Sequence, residues 1–140
     1  MLLPVLLFLA VFTCEAHKIL VVIPKMGYSH MNYLGSIADT LVDAGYDVVS
    51  LQPVIFPHVN NGTRKSRLIQ VDMDEAKING LLATQRSNQE RMWTGSATNP
   101  LGVIASVSFL GNIAALSAEQ LLENKELLER LKSEKFDLGI

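Results

Sequence analysis

The chain predicts an α/β fold built on a parallel sheet. Three observations carry that expectation. "KILVVIP", Lys18 to Pro24, is apolar without a break and rich in β-branched residues. Continuous rather than alternating apolarity marks a strand covered on both faces, as in a parallel sheet. Leu34, Ile37, Ala38, Leu41 and Val42 then fall at i, i+3, i+4, i+7 and i+8, the single stripe of an amphipathic helix. "YDVVSL", Tyr46 to Leu51, follows as a second β-rich run. Strand, helix and strand at this spacing make a βαβ unit, whose crossover is by rule right-handed.

Composition narrows the class. The 140 residues suffice for one domain. Hydrophobic residues are 49% of the chain, which supports a core and excludes global disorder. Basic and acidic residues number 12 and 14 with no basic block, so nucleic acid is not an expected partner, because phosphate binding needs clustered Lys and Arg.

In chain order, the first segment is set aside as a leader. "MLLPVLLFLAVFTCEA" is apolar from Leu2 to Phe12 and ends in Cys14-Glu15-Ala16, with small residues at the first and third positions before a cut. The apolar core is too short for a stable membrane span. Residues 1–16 are therefore expected to be a secretory signal and residues 17–140 the mature chain. Cys14 is the single cysteine, so a mature chain from His17 excludes disulfides, thiolate metal sites and cysteine catalysis. A short buried strand is the alternative for this segment.

The first strand hands over at Pro24 to a loop carrying Gly27, read as a turn residue needing positive φ. The helix opens at Ser29 or His30, and Gly45 stands where a C-terminal cap belongs. After Pro53, "PVIFPHVNNGTRKSRL" reads as a loop, with a short strand from Arg67 to Val71. Asp72 to Gln89 has room for a helix interrupted at Asn79-Gly80, and "RMWTGSATNP" reads as a loop closed by Pro100. Leu101 to Leu116 is expected to be a buried helical segment. Ser117 to Lys132 follows as a separate helix with Ala118, Leu121, Leu122, Leu128 and Leu131 on its apolar face. "KFDLGI" returns to strand character, and its stop at Ile140 in mid-strand reads as a fragment of something longer or a truncated product.

His30 is the residue with the most chemistry in its position. In open parallel sheets ligands gather beyond the carboxyl ends of the strands, and His30 is expected at that edge. The first turn of a helix disfavours a positive imidazolium and so favours a neutral base. Spacing alone, however, favours a capping or loop residue that happens to be imidazole. A pyrophosphate loop needs G-x-G-x-x-G, and Pro24 to His30 offers one glycine, so dinucleotide binding at this turn is not expected. No two of His17, His30 and His58 have metal-ligand spacing, and no metal is expected. His58 reads as a surface loop residue. Trp93 could line an apolar pocket, though packing is its commoner fate. Asn61-Gly62-Thr63 is a glycosylation triplet in a polar stretch, placing a candidate glycan on Asn61.

"KILVVIPKMGYSHMNYLGSIADTLVDAGYDVV" resembles the amino-terminal βαβ unit of the animal UDP-glycosyltransferases, the UDP-glucuronosyltransferases of invertebrates above all. "WTGSATNPLG" and "ENKELLERLKSEKFDLGI" resemble later stretches of the same half. The resemblance implies the Rossmann-like, acceptor-binding amino-terminal half of a GT-B glycosyltransferase. The donor half and the membrane-spanning tail of that family have no counterpart in these residues. By the same resemblance His30 matches the catalytic base. It takes a proton from a small lipophilic acceptor, which attacks the anomeric carbon of a UDP-sugar with inversion and without a cofactor. Glucuronic acid is the expected sugar. Gly27, Tyr28, Ser29 and Trp93 are the expected acceptor contacts. The family's acidic partner of the histidine falls just past Ile140. Asp137 does not match it and is given a structural role at the start of a strand. The expected location is the endoplasmic reticulum lumen, with no anchor in this chain, and a homo-oligomer is allowed. The competing expectation is a catalytically inactive secreted or lumenal remnant that binds apolar small molecules or a full-length partner.

Overall fold

The computed structural model describes residues 16–83 and 100–140. Most of the expected leader, and Trp93 with its loop, lie outside the described residues. Strand β1 (Lys18–Val22) leads through a short loop into helix α1 (Tyr28–Asp43), and β2 (Asp47–Val54) follows. β3 is Arg67–Asp72. Helix α2 occupies 75–83. Helices α3 (Pro100–Glu123) and α4 (Lys125–Glu134) precede the two-residue strand β4 (Leu138–Gly139).

The four strands form one sheet in the order β3-β2-β1-β4, and every pairing is parallel. β1 lies against β2 with Lys18 opposite Asp47, and against β4 with Ile19 opposite Leu138. The order runs outward from β1 to β3 and then returns to the other side of β1. The topological switch point of the sheet is therefore between β1 and β4, and the loop after β1 opens beside it. This is the Rossmann-like α/β architecture that the sequence predicts.

The pleat explains how the chain covers both faces. Ile19, Val21, Ile23 and Val48 point to one side and pack with Met31 and Ala38 of α1, with Leu34, Leu41 and Val42 at the margin. Val49, Leu51 and Ile69 point to the other side and pack with Leu127 of α4 and Leu121 of α3. The α1 stripe thus starts one turn earlier than its periodicity suggested. Met31 is fully buried, and such burial contributes roughly 1.5–3 kcal/mol. Gly45 adopts φ +91° and donates its N–H to the Val42 carbonyl, so the helix ends where a glycine permits a left-handed residue.

Four expectations are corrected. β2 continues through Pro53 to Val54, because Val22 pairs with Leu51 and Pro53 therefore lies past β1's last residue, where its missing N–H breaks no ladder. Helix α2 runs through Asn79-Gly80 without interruption, held at its start by Asp74, whose carboxylate accepts the N–H groups of Ala76 and Lys77. The segment Leu101 to Leu116 is helical but mostly exposed: among the described side chains of α3 only Ile113 and Ser117 are buried, while Val103, Ile104, Val107 and Leu110 face outward. Its all-round apolarity carries no period from which a buried face could be read. Finally, the helix break falls at Asn124, not before Ser117. The Asn124 side chain accepts the Leu127 N–H and caps α4. This resets the helical phase, so Leu127 is buried while Leu122 is 67% exposed.

The amino edge of the sheet is held by charge. Glu134, at the end of α4, accepts from Lys18 Nζ at 2.8 Å and from both Arg67 nitrogens at 2.7 and 2.8 Å. The hydrogen bonds from Arg67 and then Lys18 pull its carboxyl from an ordinary 4.5 down to about 2. The folded state therefore binds fewer protons than the unfolded chain between these values. Stability from this carboxylate is complete above pH 4.5 and is lost as pH falls toward 2. Because both cations are partly exposed, the contribution expected is about 1 kcal/mol. Urea unfolding followed from pH 6 to pH 3 should show it, and Glu134→Gln should flatten that part of the profile. Asp137 serves the same edge: it accepts the Lys18 backbone N–H at 2.7 Å and returns its own N–H to the Lys18 carbonyl.

Candidate functional site

The carboxyl edge is built differently, with two exposed histidines, His30 and His58, a clipped loop and an apolar cluster. The loop after β1 is fixed by backbone bonds. Lys25 N–H donates to the Pro53 carbonyl at 2.9 Å, and the Lys25 carbonyl accepts from Phe56 at 2.8 Å. Gly27 is the N-terminal cap residue of α1, and its carbonyl accepts the Met31 N–H. Its φ is −178°, which is extended backbone, so the expected positive φ at Gly27 is corrected. The positive-φ glycines among the described residues are Gly45 and Gly62. The helix starts at Tyr28, one residue before the sequence suggested.

His30 stands in the first turn of α1 with its side chain exposed, beside the switch point. Ser29 Oγ lies 3.5 Å from His30 Nδ1, the outer limit of a hydrogen bond. A Cβ added to Gly27 would come 3.8 Å from the same nitrogen, an ordinary van der Waals contact. Tyr28 turns away and donates its hydroxyl to the His58 carbonyl at 3.3 Å. The structure therefore groups Gly27, Ser29 and His30, and directs Tyr28 to the neighbouring loop. His58 is exposed, its ring tilted against Phe56 at 5.8 Å. His17 is at the opposite edge, 3.6 Å from Asp137. Among the described residues no three His, Cys, Asp or Glu side chains converge on one point.

Met26, in the same loop as Gly27, packs against an apolar cluster of Ile55, Met73, Ile78 and Ile113. Ile55 and Met73 follow the carboxyl ends of β2 and β3, so this cluster belongs to the His30 edge. With Leu81, Leu82, Leu116 and Ser117 it lines a crevice whose free space is about 10 Å³, room for about one water molecule.

The residues that sequence reasoning missed are polar ones under the loop after β2. Lys25 is 7% exposed, and its ammonium donates to Asn61 Oδ1 at 3.0 Å. Gln70 Nε2 donates to the same oxygen at 2.9 Å and to Gln52 Oε1 at 3.0 Å, while Gln52 Nε2 donates to the Asn61 carbonyl at 2.8 Å. This network fastens the loop 55–66 over the strand ends. The loop in turn braces α1: Asn60 donates to Asn32 at 3.3 Å. Asp39 accepts the Thr63 hydroxyl and the N–H groups of Arg64 and Lys65. Partial burial opposes ionisation of Asp39, but these hydrogen bonds outweigh it and hold the carboxyl below its usual range. The signal for all this was Gln52, an amide inside an otherwise apolar strand, which has to be satisfied by something.

A parallel α/β sheet with an exposed histidine in the loop-helix junction after β1 and an apolar cluster alongside is Rossmann-like in architecture. Sequence comparison carries this further. The chain is 33% identical over 146 aligned positions to "Putative UDP-glucuronosyltransferase ugt-48" of Caenorhabditis elegans. The match takes in 98% of this chain and 26% of the relative, so the chain spans about a quarter of that relative's length. The chain is thus similar to a UDP-glucuronosyltransferase along almost all of its residues, and its parallel sheet is compatible with the amino-terminal half of such a protein. No protein-family profile matches the chain, and no solved structure matches it.

Proposed function

We propose that this chain supplies the acceptor side of a sugar transfer from a UDP-sugar, glucuronic acid being the expected sugar, to small lipophilic acceptors in the lumen of the endoplasmic reticulum. His30 is the base. It takes the acceptor's proton as the acceptor oxygen bonds to the anomeric carbon, and the bond from that carbon to UDP breaks with inversion. The observation that carries this reading is the exposed imidazole of His30 at the switch point, on a loop whose Met26 joins the apolar cluster. The aligned relative, described as a UDP-glucuronosyltransferase, supports glycosyl transfer at the level of the family.

The course of β4 agrees with it. β4 runs parallel to β1, with Ile140 exchanging backbone hydrogen bonds with Leu20 and Val22 at 2.8 Å. The strand therefore heads toward the carboxyl edge where His30 stands, and the acidic partner expected just past Ile140 would arrive beside that loop.

The test is turnover of UDP-glucuronic acid with a phenolic acceptor by the protein made at the full length of its natural transcript. Glucuronide is expected from it, and residues 17–140 alone are expected to yield none. The exposed apolar side chains Val103, Ile104 and Val107 of α3 favour a second reading, an inactive remnant that binds apolar small molecules or a full-length partner. Absence of glucuronide from the full-length protein, with retained binding of the phenol, would decide for that reading.

A further inference from the structure

We propose that Asn61 carries an N-linked glycan which is attached only before the chain folds, because folding closes the hydroxyl half of its acceptor triplet while leaving the amide nitrogen outward. This inference needs entry into the secretory lumen and is independent of the sugar-transfer reading.

The orientation of the Asn61 amide is unambiguous. Its oxygen faces Lys25 Nζ, and an ammonium has donors only, so a flipped amide would set donor against donor. Gln70 Nε2 donates to the same oxygen. The nitrogen, Nδ2, has no protein partner among the described residues and is not a buried unsatisfied atom, so it meets solvent. A glycan on Nδ2 leaves Oδ1 a carbonyl oxygen. The network with Lys25 and Gln70 therefore survives the modification.

The rest of the triplet is closed. Thr63 is 9% exposed, and its hydroxyl is bonded to Asp39 and lies 2.9 Å from Ser66 Oγ. Gly62, between them, takes φ +70° with its Cα against the Met31 carbonyl of α1. A transferase must reach both the amide and the hydroxyl of Asn-x-Thr, and in the folded chain the hydroxyl is unreachable unless the 55–66 loop opens. In the transfer the Asn61 Nδ2–C1 bond forms as the C1–O bond of a lipid-linked oligosaccharide pyrophosphate breaks. The lipid pyrophosphate leaves with the electron pair, and the amide proton goes to the transferase. The chain then folds around the finished linkage.

Asn61→Gln is a poor test by itself, because it also breaks the Lys25 network. The informative experiment has two arms. In the first, the whole chain is synthesised in the presence of microsomes, and a single endoglycosidase-sensitive mass shift is expected, retained in Thr63→Ser, which keeps the hydroxyl. In the second, detergent-permeabilised microsomes and lipid-linked oligosaccharide are offered either the folded, unglycosylated chain or a synthetic peptide of residues 56–68. The peptide is expected to be modified, and the folded chain roughly tenfold or more slowly, since it reacts only through local opening. No shift in the first arm overturns occupancy, whether the chain failed to enter or the triplet was ignored. Equal rates for folded chain and peptide overturn the order of events.

Discussion

His30→Ala is expected to lower turnover of UDP-glucuronic acid with a phenolic acceptor by ~10²–10⁴-fold, the range that a positioned general base supplies. The loss should fall on kcat more than on KM, because in the proposed mechanism the imidazole acts on the proton as it leaves and contributes little to holding the acceptor. Stability should not change. The side chain is exposed, and among the described residues its hydrogen-bonding neighbour is Ser29 Oγ at the limit of bonding distance. A thermal midpoint equal to that of the parent protein therefore separates lost chemistry from lost fold. His30→Gln gives a second reading, since it keeps polarity and volume without a titrating nitrogen, and should be about as inactive. A His30→Ala protein that retains its rate within about tenfold would remove the base from this account.

Gly35→Ala is expected to destabilise the chain by roughly 2–4 kcal/mol, a large share of the stability of a small domain. A Cβ at Gly35 would lie 2.2 Å from the carbonyl carbon and oxygen of Gly62 and 2.7 Å from the Thr63 nitrogen. These are backbone atoms, held by the Asp39 bonds to Thr63, Arg64 and Lys65, so they cannot step aside as a flexible side chain would. Gly62→Ala should be at least as harmful, since its Cβ would meet the Met31 carbonyl oxygen at 2.0 Å and its φ of +70° disfavours any side chain. Gly111→Ala is the control. Among the described residues nothing beyond its own helical turns lies within 4 Å of a Cβ there, and the residue is inside α3, so it should stabilise by about 0.5–1 kcal/mol. Urea midpoints of the variants check the ranking. A Gly35→Ala midpoint equal to the parent's would mean that the 55–66 loop does not press on α1 in solution.

Much of this was visible in the order of the residues. β1, α1 and β2 were legible because apolar continuity and 3.6-residue spacing are local properties of the chain, and Gly45 announced its own left-handed turn. His30 at a strand-to-helix junction followed from the same local pattern. Where the pattern carried no period, the reading failed. Leu101 to Leu116 is apolar all round, so nothing in it distinguishes the side that packs under Ile55 and Met73 from the side left exposed. The break at Asn124 was missed because Leu121, Leu122, Leu128 and Leu131 fit a single helix just as well as two.

The chain's own pattern was enough to establish a parallel α/β sheet, a βαβ start and an imidazole at the strand's exit. Those features depend on neighbours within a few turns, and short-range periodicity encodes them. Three-dimensional packing was needed for the rest: the loop 55–66 seated on Gly35, the ammonium of Lys25 aligning the Asn61 amide, and Glu134 gathering Lys18 and Arg67 at the far edge. Each of these joins residues far apart in the chain, up to 116 positions for Lys18 and Glu134. Such pairs are brought together by strand order and register, which no local stretch of sequence contains.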